Sequence, residues 1–130
     1  MNKITVIGAG NVGASLAQRL IEKDFADVVM LDIIEGLPQG KALDIQQSAP
    51  VVGFGHRVSG TNRYEDTQGS DIVIITSGIA RKPGMTREEL IKINAGIVAD
   101  VVGNAVQQSP DCVIITVANP VDALTYLAIK

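Results

Sequence analysis

Compact runs of branched aliphatic residues alternate along this chain with longer stretches in which apolar side chains recur every three or four positions. The first run, KITVI at 3–7, stops at Gly8 and predicts a short buried strand, Lys3–Ile7. After it, Val12, Leu16, Leu20 and Ile21 fall at helical spacing and predict a helix over Asn11–Lys23. Val28–Leu31 repeats the strand pattern and closes on Asp32. Leu37, Ala42, Leu43 and Ile45 predict a helix over Gly36–Ala49, stopped by Pro50. Arg57–Ser59 reads as a short edge strand, and Ile72–Ile75, inside DIVIITSG, as a strong one. A long helix over Glu88–Gln108, a fifth strand at Val113–Val117 closed by Asn119-Pro120, and a last helix over Val121–Ile129 complete the series.

Strands alternating with helices require a parallel sheet joined by right-handed crossovers. With a glycine loop directly after the first strand, the expected fold class is α/β, a doubly wound parallel (Rossmann) sheet of about five strands in the order 3-2-1-4-5. Residues 1–130 form one dinucleotide-binding domain on this reading, without repeat, linker or low-complexity tract, and without a substrate domain. The order lacks a sixth strand and the chain stops within a helical pattern, so a truncated domain is expected. Composition agrees with the fold. Apolar residues make up 46% and aromatics only 3%, the packing of strands buried on both faces. A net charge of −3 and a pI near 5 argue against a nucleic-acid or anionic-membrane partner. The single cysteine, Cys112, permits no internal disulfide and fits a reducing compartment, or is simply uninformative. MNKITVIG is too short an apolar run for a signal peptide, and no run reaches the length of a membrane span, so a soluble cytoplasmic protein is expected.

GAGNVG, residues 8–13, is a weak motif alone, but here it follows a strand, opens a helix, and is followed by a strand ending in Asp32, 19 positions after Gly13. Gly8 then allows the tight turn, Gly10 lets backbone approach a pyrophosphate, and Gly13 lets helix and strand pack closely. The helix start offers unpaired N–H groups and the positive end of its dipole to phosphates. Asp32 is placed to accept hydrogen bonds from a ribose diol. Its charge repels a 2′-phosphate, and no arginine follows in Ile33-Ile34-Glu35, which favours NAD over NADP. The loops Thr76-Ser77-Gly78 and Val117-Ala118-Asn119 leave the same carboxyl edge, where ligands of open α/β sheets bind.

The polar segment GIARKPGMTR, 78–87, carries Arg81, Lys82 and Arg87. Thr86 and Glu89 have capping-box spacing, which places Arg87 in a first helical turn, facing the positive dipole end at a cost of roughly a few tenths of a kcal/mol. A bound anion reverses that penalty, and guanidinium groups hold carboxylates bidentately, so Arg81 and Arg87 are candidates to clamp a small dicarboxylate. A solvated basic loop is the alternative. Asn94 interrupts the apolar stripe of the long helix and needs partners, either neighbouring backbone or a ligand. The Asn119-Pro120 bond is a candidate cis peptide. His56, the sole histidine, precedes the third strand at the amino edge, opposite the expected ligand site, and Cys112 opens the fifth strand at that same edge as a packed thiol. Metal-ligand spacing, a nucleophile elbow and a Ser/His/Asp set are absent from the sequence.

GAGNVG, LDI, TSG, ARKPGMTREEL, NAGI and VANPVD occur in an order and at a spacing that resemble the coenzyme-binding part of the lactate/malate dehydrogenase family, over essentially all 130 residues. Lactate members usually carry glutamine at the position of Arg81 and malate members arginine, so the resemblance falls on the malate branch, within its lactate-dehydrogenase-like subgroup. It implies that Gly8, Ala9, Gly10, Asn11, Val12 and Gly13 hold the NAD pyrophosphate and Asp32 the adenosine ribose. Ser77, Gly78, Asn94, Val117, Ala118 and Asn119 complete the cofactor site, and Arg81, Arg87 and Asn119 bind malate or oxaloacetate. It also implies that the helix near Gly36–Ala49 serves a subunit interface. The family's histidine–aspartate proton relay and its second carboxylate-binding arginine lie beyond Lys130. The chain alone is therefore expected to bind NAD(H) weakly and to turn over no malate. The rival readings are a stand-alone dinucleotide-binding module without catalysis, and a transferase that uses S-adenosylmethionine on the same fold, which leaves the arginine loop unexplained.

Overall fold

The structure, a computed structural model, describes residues 2–130. The elements run β1 (Lys3–Ile7), α1 (Asn11–Ile21), β2 (Asp27–Leu31), α2 (Leu37–Gln47), α3 (Ala49–Val52), β3 (Val58–Thr61), a 3-10 turn (Tyr64–Thr67), β4 (Ile72–Ile75), α4 (Arg87–Gln108), β5 (Val113–Thr116) and α5 (Val121–Ile129). The five strands form one parallel sheet in the order β3-β2-β1-β4-β5. Ile4 of the central strand lies beside Val28 on one side and Ile72 on the other.

Successive strand residues point to opposite faces, and each face has its own helical cover. Val6, Val28, Met30 and Val58 pack beneath Ala17 and Ile21 of α1 and Ala42 and Ile45 of α2. Ile7, Leu31, Val73 and Ile75 pack on the other face beneath Val98, Val101 and Ala105 of α4 and Leu124 of α5. Both faces of β1, β2 and β4 are therefore buried, which is why these strands read as mostly aliphatic runs. The one polar side chain inside them, Thr5, is fully buried and hydrogen-bonded to Ser70. At the sheet edge, β5 keeps Val113 and Ile115 exposed.

Several boundaries differ from expectation. The predicted helix over Gly36–Ala49 divides in two, because Ser48 closes α2 and Pro50 sits in the first turn of α3, where its missing N–H costs nothing. Pro50 therefore opens a short helix and does not stop one. The third strand runs Val58–Thr61 and not Arg57–Ser59. Its Gly60 is required by packing: a Cβ there lies 2.1 Å from the carbonyl carbon of Pro38 at the start of α2. α1 ends at Ile21, two residues before Lys23, and Asp24 follows in left-handed backbone with φ 52°. The 3-10 turn has no counterpart in the hydrophobic pattern. Val12 and Leu43, counted as buried stripe residues, are 61% and 60% exposed, because the small residues Gly13, Ala17 and Ala42 make the close contacts instead.

His56 lies at the amino edge, as expected, and its ring there is 3.0 Å from Asp27, a partner the sequence did not indicate. The N–H of Arg57 and, next, the His56 ring hold the Asp27 carboxyl below the usual carboxylate range. Burial pushes the half-buried Cys112 thiol up. No helix among the described residues is long and apolar enough to cross a membrane.

Candidate functional site

A cleft of about 660 Å³ opens at the carboxyl edge of β1, β2 and β4, where the strand order reverses direction. Its floor is the glycine loop. Gly8 takes φ 104°, a conformation that favours glycine, and its N–H donates to the carbonyl of Leu31 at 2.7 Å. Thr76 locks the loop from β4, its hydroxyl donating to the carbonyls of Ile7 and Gly8, each at 3.1 Å. Gly13 brings α1 so close that a Cβ there lies 1.7 Å from the Gly8 carbonyl oxygen.

Gly10 differs from both. It caps α1 with φ −67°, which any residue adopts, and a Cβ built on it meets no atom within 4 Å. The fold does not need glycine there, and the open space lies in the cleft. No side chain caps α1, whereas Thr86 and Glu89 form a complete capping box on α4. The cleft thus presents free helix-start amides of positive potential and room for a group lying against bare backbone.

Asp32 stands opposite. One carboxylate oxygen accepts from the Ala9 N–H at 2.7 Å and the other from the Ile34 N–H at 3.0 Å. The carboxylate thus shapes the glycine loop as well as bordering the cleft, a role the sequence did not disclose. Asn11, Val12, Ser77 and Gly78 join Gly8, Gly10, Gly13 and Asp32 in the lining. Ala9 is fully buried and contributes backbone only.

The remaining residues singled out in the sequence lie outside this lining. Arg81 and Arg87 are exposed, and the Arg81 Nε donates to Met85 within its own loop at 3.1 Å. Asn94, 1% exposed, is occupied by backbone. Its amide nitrogen donates to Ile79 and Asn119, at 3.2 and 2.7 Å, and its oxygen accepts from the Ile79 N–H at 2.8 Å. It clasps the loop after β4 to the loop after β5, as the first of the two sequence readings required. Val117 and Asn119 are exposed and Ala118 buried in that second loop, and Asn119-Pro120 is cis.

Other lining groups carry no motif. Ile97, Asp100 and Val101 share one face of α4, and Ile33 and Ile34 follow Asp32. Tyr64 joins them from the 3-10 turn, where burial first, and the Asp100 carboxylate second, raise its phenol pKa. The i, i+3, i+4 spacing on α4 was a usable signal for the first three. Tyr64 had none. Among the described residues no cluster of three or more potential metal ligands forms.

A doubly wound sheet with an uncapped helix start and a strand-end carboxylate around its switch-point cleft is a dinucleotide-binding domain. Comparison with known proteins narrows the class. The sequence matches the family described as lactate/malate dehydrogenase, NAD binding domain, over residues 2–130, and the chain belongs to that family. Malate dehydrogenase of Dehalococcoides mccartyi is 68% identical over 130 residues, which are 100% of this chain and 42% of the relative. The Methanosarcina mazei enzyme is 55% identical with the same coverage. Malate dehydrogenase from Salinibacter ruber superposes with a TM-score of 0.91 at 50% identity, covering 98% of this chain and 40% of that one. The Archaeoglobus fulgidus malate dehydrogenase, solved with NADH, gives 0.92 at 36% identity, covering 97% and 43%. The chain thus spans about two-fifths of the length of the curated relatives it matches.

Proposed function

We propose that the cleft binds NAD(H) and that the chain is the coenzyme-binding part of a malate dehydrogenase. The observation that supports this reading is the start of α1, which no side chain caps and which borders the cleft at Gly10, with room for a ligand against bare backbone. The amides of the first turn of α1 receive the pyrophosphate. Asp32 accepts from the adenosine ribose diol with the lone pairs left over from Ala9 and Ile34, and repels a 2′-phosphate. The apolar side chains of Ile33, Ile34, Ile97 and Val101 suit the adenine ring. Ser77, Gly78 and the Val117–Asn119 segment lead toward the nicotinamide, with Asn94 fixing both loops. Bound nicotinamide supplies hydride exchange with a 2-hydroxy acid, and Arg81 and Arg87, with Asn119, hold its carboxylates once the 78–87 loop folds over them.

Hydride transfer to a ketone also needs a proton for the forming alkoxide. The sole histidine is held at the amino edge by Asp27, so these 130 residues are expected to bind coenzyme without turning over malate. An NADH fluorescence titration of the chain and of Asp32→Ala tests the reading. Binding that weakens at least about tenfold supports it, and equal binding removes the ribose contact. A module with no catalytic history gives the same titration. Malate turnover regained when the remaining part of a family member is added separates the two. Self-association across α2 and α3, where Leu43, Val51 and Val52 are exposed, belongs to the same proposal. A monomeric sedimentation profile at micromolar concentrations would remove it.

A further inference from the structure

Coenzyme choice depends on where the Asp32 carboxylate points, and the backbone around Asp32 is held by a residue outside the cleft. Asn62 follows β3 directly. Its amide nitrogen donates both hydrogens to the loop between β2 and α2, to the Asp32 carbonyl at 2.7 Å and the Ile34 carbonyl at 3.0 Å. Its amide oxygen accepts from the Gln39 side chain on the first turn of α2 at 2.5 Å. The preceding residue contributes as well, since the Asp32 N–H donates to the Thr61 carbonyl at 3.2 Å. The end of β3 therefore grips Asp32 at both its N–H and its C=O.

Every polar group of the Asn62 side chain is used in this grip, and both carbonyls it satisfies belong to the loop that aims the carboxylate. Water can satisfy those carbonyls in place of Asn62, so the fold survives its loss. Water does not fix the loop, and with it the Ile34 N–H that the Asp32 carboxylate accepts from, as a side chain anchored to Gln39 does. We propose that Asn62 is a positioning residue for coenzyme specificity: it fixes the strand-end loop so that Asp32 meets a ribose diol and opposes a 2′-phosphate. This rests on the reading of Asp32 given above.

The test is a pair of titrations, NADH and NADPH, on the chain, on Asn62→Ala and on Asn62→Leu, which keeps the side-chain volume without its donors. The chain itself should bind NADPH at least about tenfold more weakly than NADH. In both variants NADH binding should weaken by about fivefold to tenfold, the worth of one net hydrogen bond, while NADPH binding changes by less than about twofold. The ratio between the coenzymes then shrinks about fivefold, a result that general loosening of the fold, which weakens both alike, does not produce. Gln39→Ala, a change on an exposed helical residue, should move the ratio in the same direction by about twofold, and it carries the test alone if the Asn62 variants do not fold. An unchanged ratio in the folded variants overturns the proposal. Equal binding of the two coenzymes by the parent chain refutes the Asp32 reading itself, and this proposal with it.

Discussion

Two glycines of one loop should separate stability from coenzyme affinity. In Gly13→Ala the new methyl lies 1.7 Å from the Gly8 oxygen and 2.9 Å from both the Gly8 carbonyl carbon and the Thr76 hydroxyl, where 3.4 Å is ordinary contact. Relief to ordinary contact requires the start of α1 to retreat by about 1.7 Å from backbone that cannot swing aside. Overpacking of this kind costs about 1–3 kcal/mol, and the retreat also strains the bifurcated Thr76 hydroxyl bond, at about 1 kcal/mol. The sum, about 2–4 kcal/mol, is a large share of the ~5–15 kcal/mol that holds a domain together. In thermal unfolding it lowers Tm by roughly 10–20 °C. In Gly10→Ala the methyl meets nothing and φ is already ordinary, so stability should move by less than about 1 kcal/mol. The same methyl occupies the space assigned to the pyrophosphate, so NADH affinity should fall about tenfold or more. Calorimetric melts and NADH fluorescence on the two variants are sufficient. A Gly13→Ala chain that melts with the parent refutes the packing argument. A Gly10→Ala chain with parental NADH affinity refutes the assignment of the open space to a ligand.

Two further outcomes follow from buried and edge contacts. Asn94→Leu removes three hydrogen bonds and leaves the Ile79 N–H and two carbonyls without their partner, so urea unfolding should show a loss of about 2–4 kcal/mol. Asp24 and Asp27 both titrate below their ordinary value, Asp24 because it accepts from the N–H groups of His56 and Gly55, and Asp27 because it accepts from Arg57 N–H and then His56. Their contribution is therefore complete above the unfolded-state value and disappears as pH falls through the lower folded-state value. Stability followed by urea titration should be flat from neutral pH to about 5, fall below about 4, and fall less steeply in Asp27→Asn.

The central fold was legible because its strands are buried on both faces. VVML and IVII have no polar interruption, KITVI has within it only Thr5, whose buried hydroxyl pairs with that of Ser70, and β1, β2 and β4 follow these runs closely. β3 was displaced because half of it is Gly60 and Thr61, and Gly60 answers to Pro38, a residue 22 positions earlier that no local pattern connects to it. The same limit explains Val12 and Leu43. Hydrophobicity marked them as buried, but close helix–sheet approach is carried by Gly13, Ala17 and Ala42, whose small side chains give a weak apolar signal. In the site, the loop glycines, Asp32 and the cap at Thr86 were readable because each is a local rule. Asn94 was recognisable as a polar residue on an apolar stripe, but its partners Ile79 and Asn119 lie on separate loops and only the fold brings them together. The bond from Ala9 to Asp32 and the grip of Asn62 were unreadable for the same reason.

The claim on which the rest depends is that diphosphate and ribose share the switch-point cleft, and a crystal structure of the chain grown with NADH examines it most directly. The account predicts pyrophosphate oxygens within about 3 Å of the first-turn amides of α1, and both ribose hydroxyls within hydrogen-bond distance of the Asp32 carboxylate. Coenzyme found elsewhere, or a cleft closed by the protein's own side chains at saturating NADH, would contradict it.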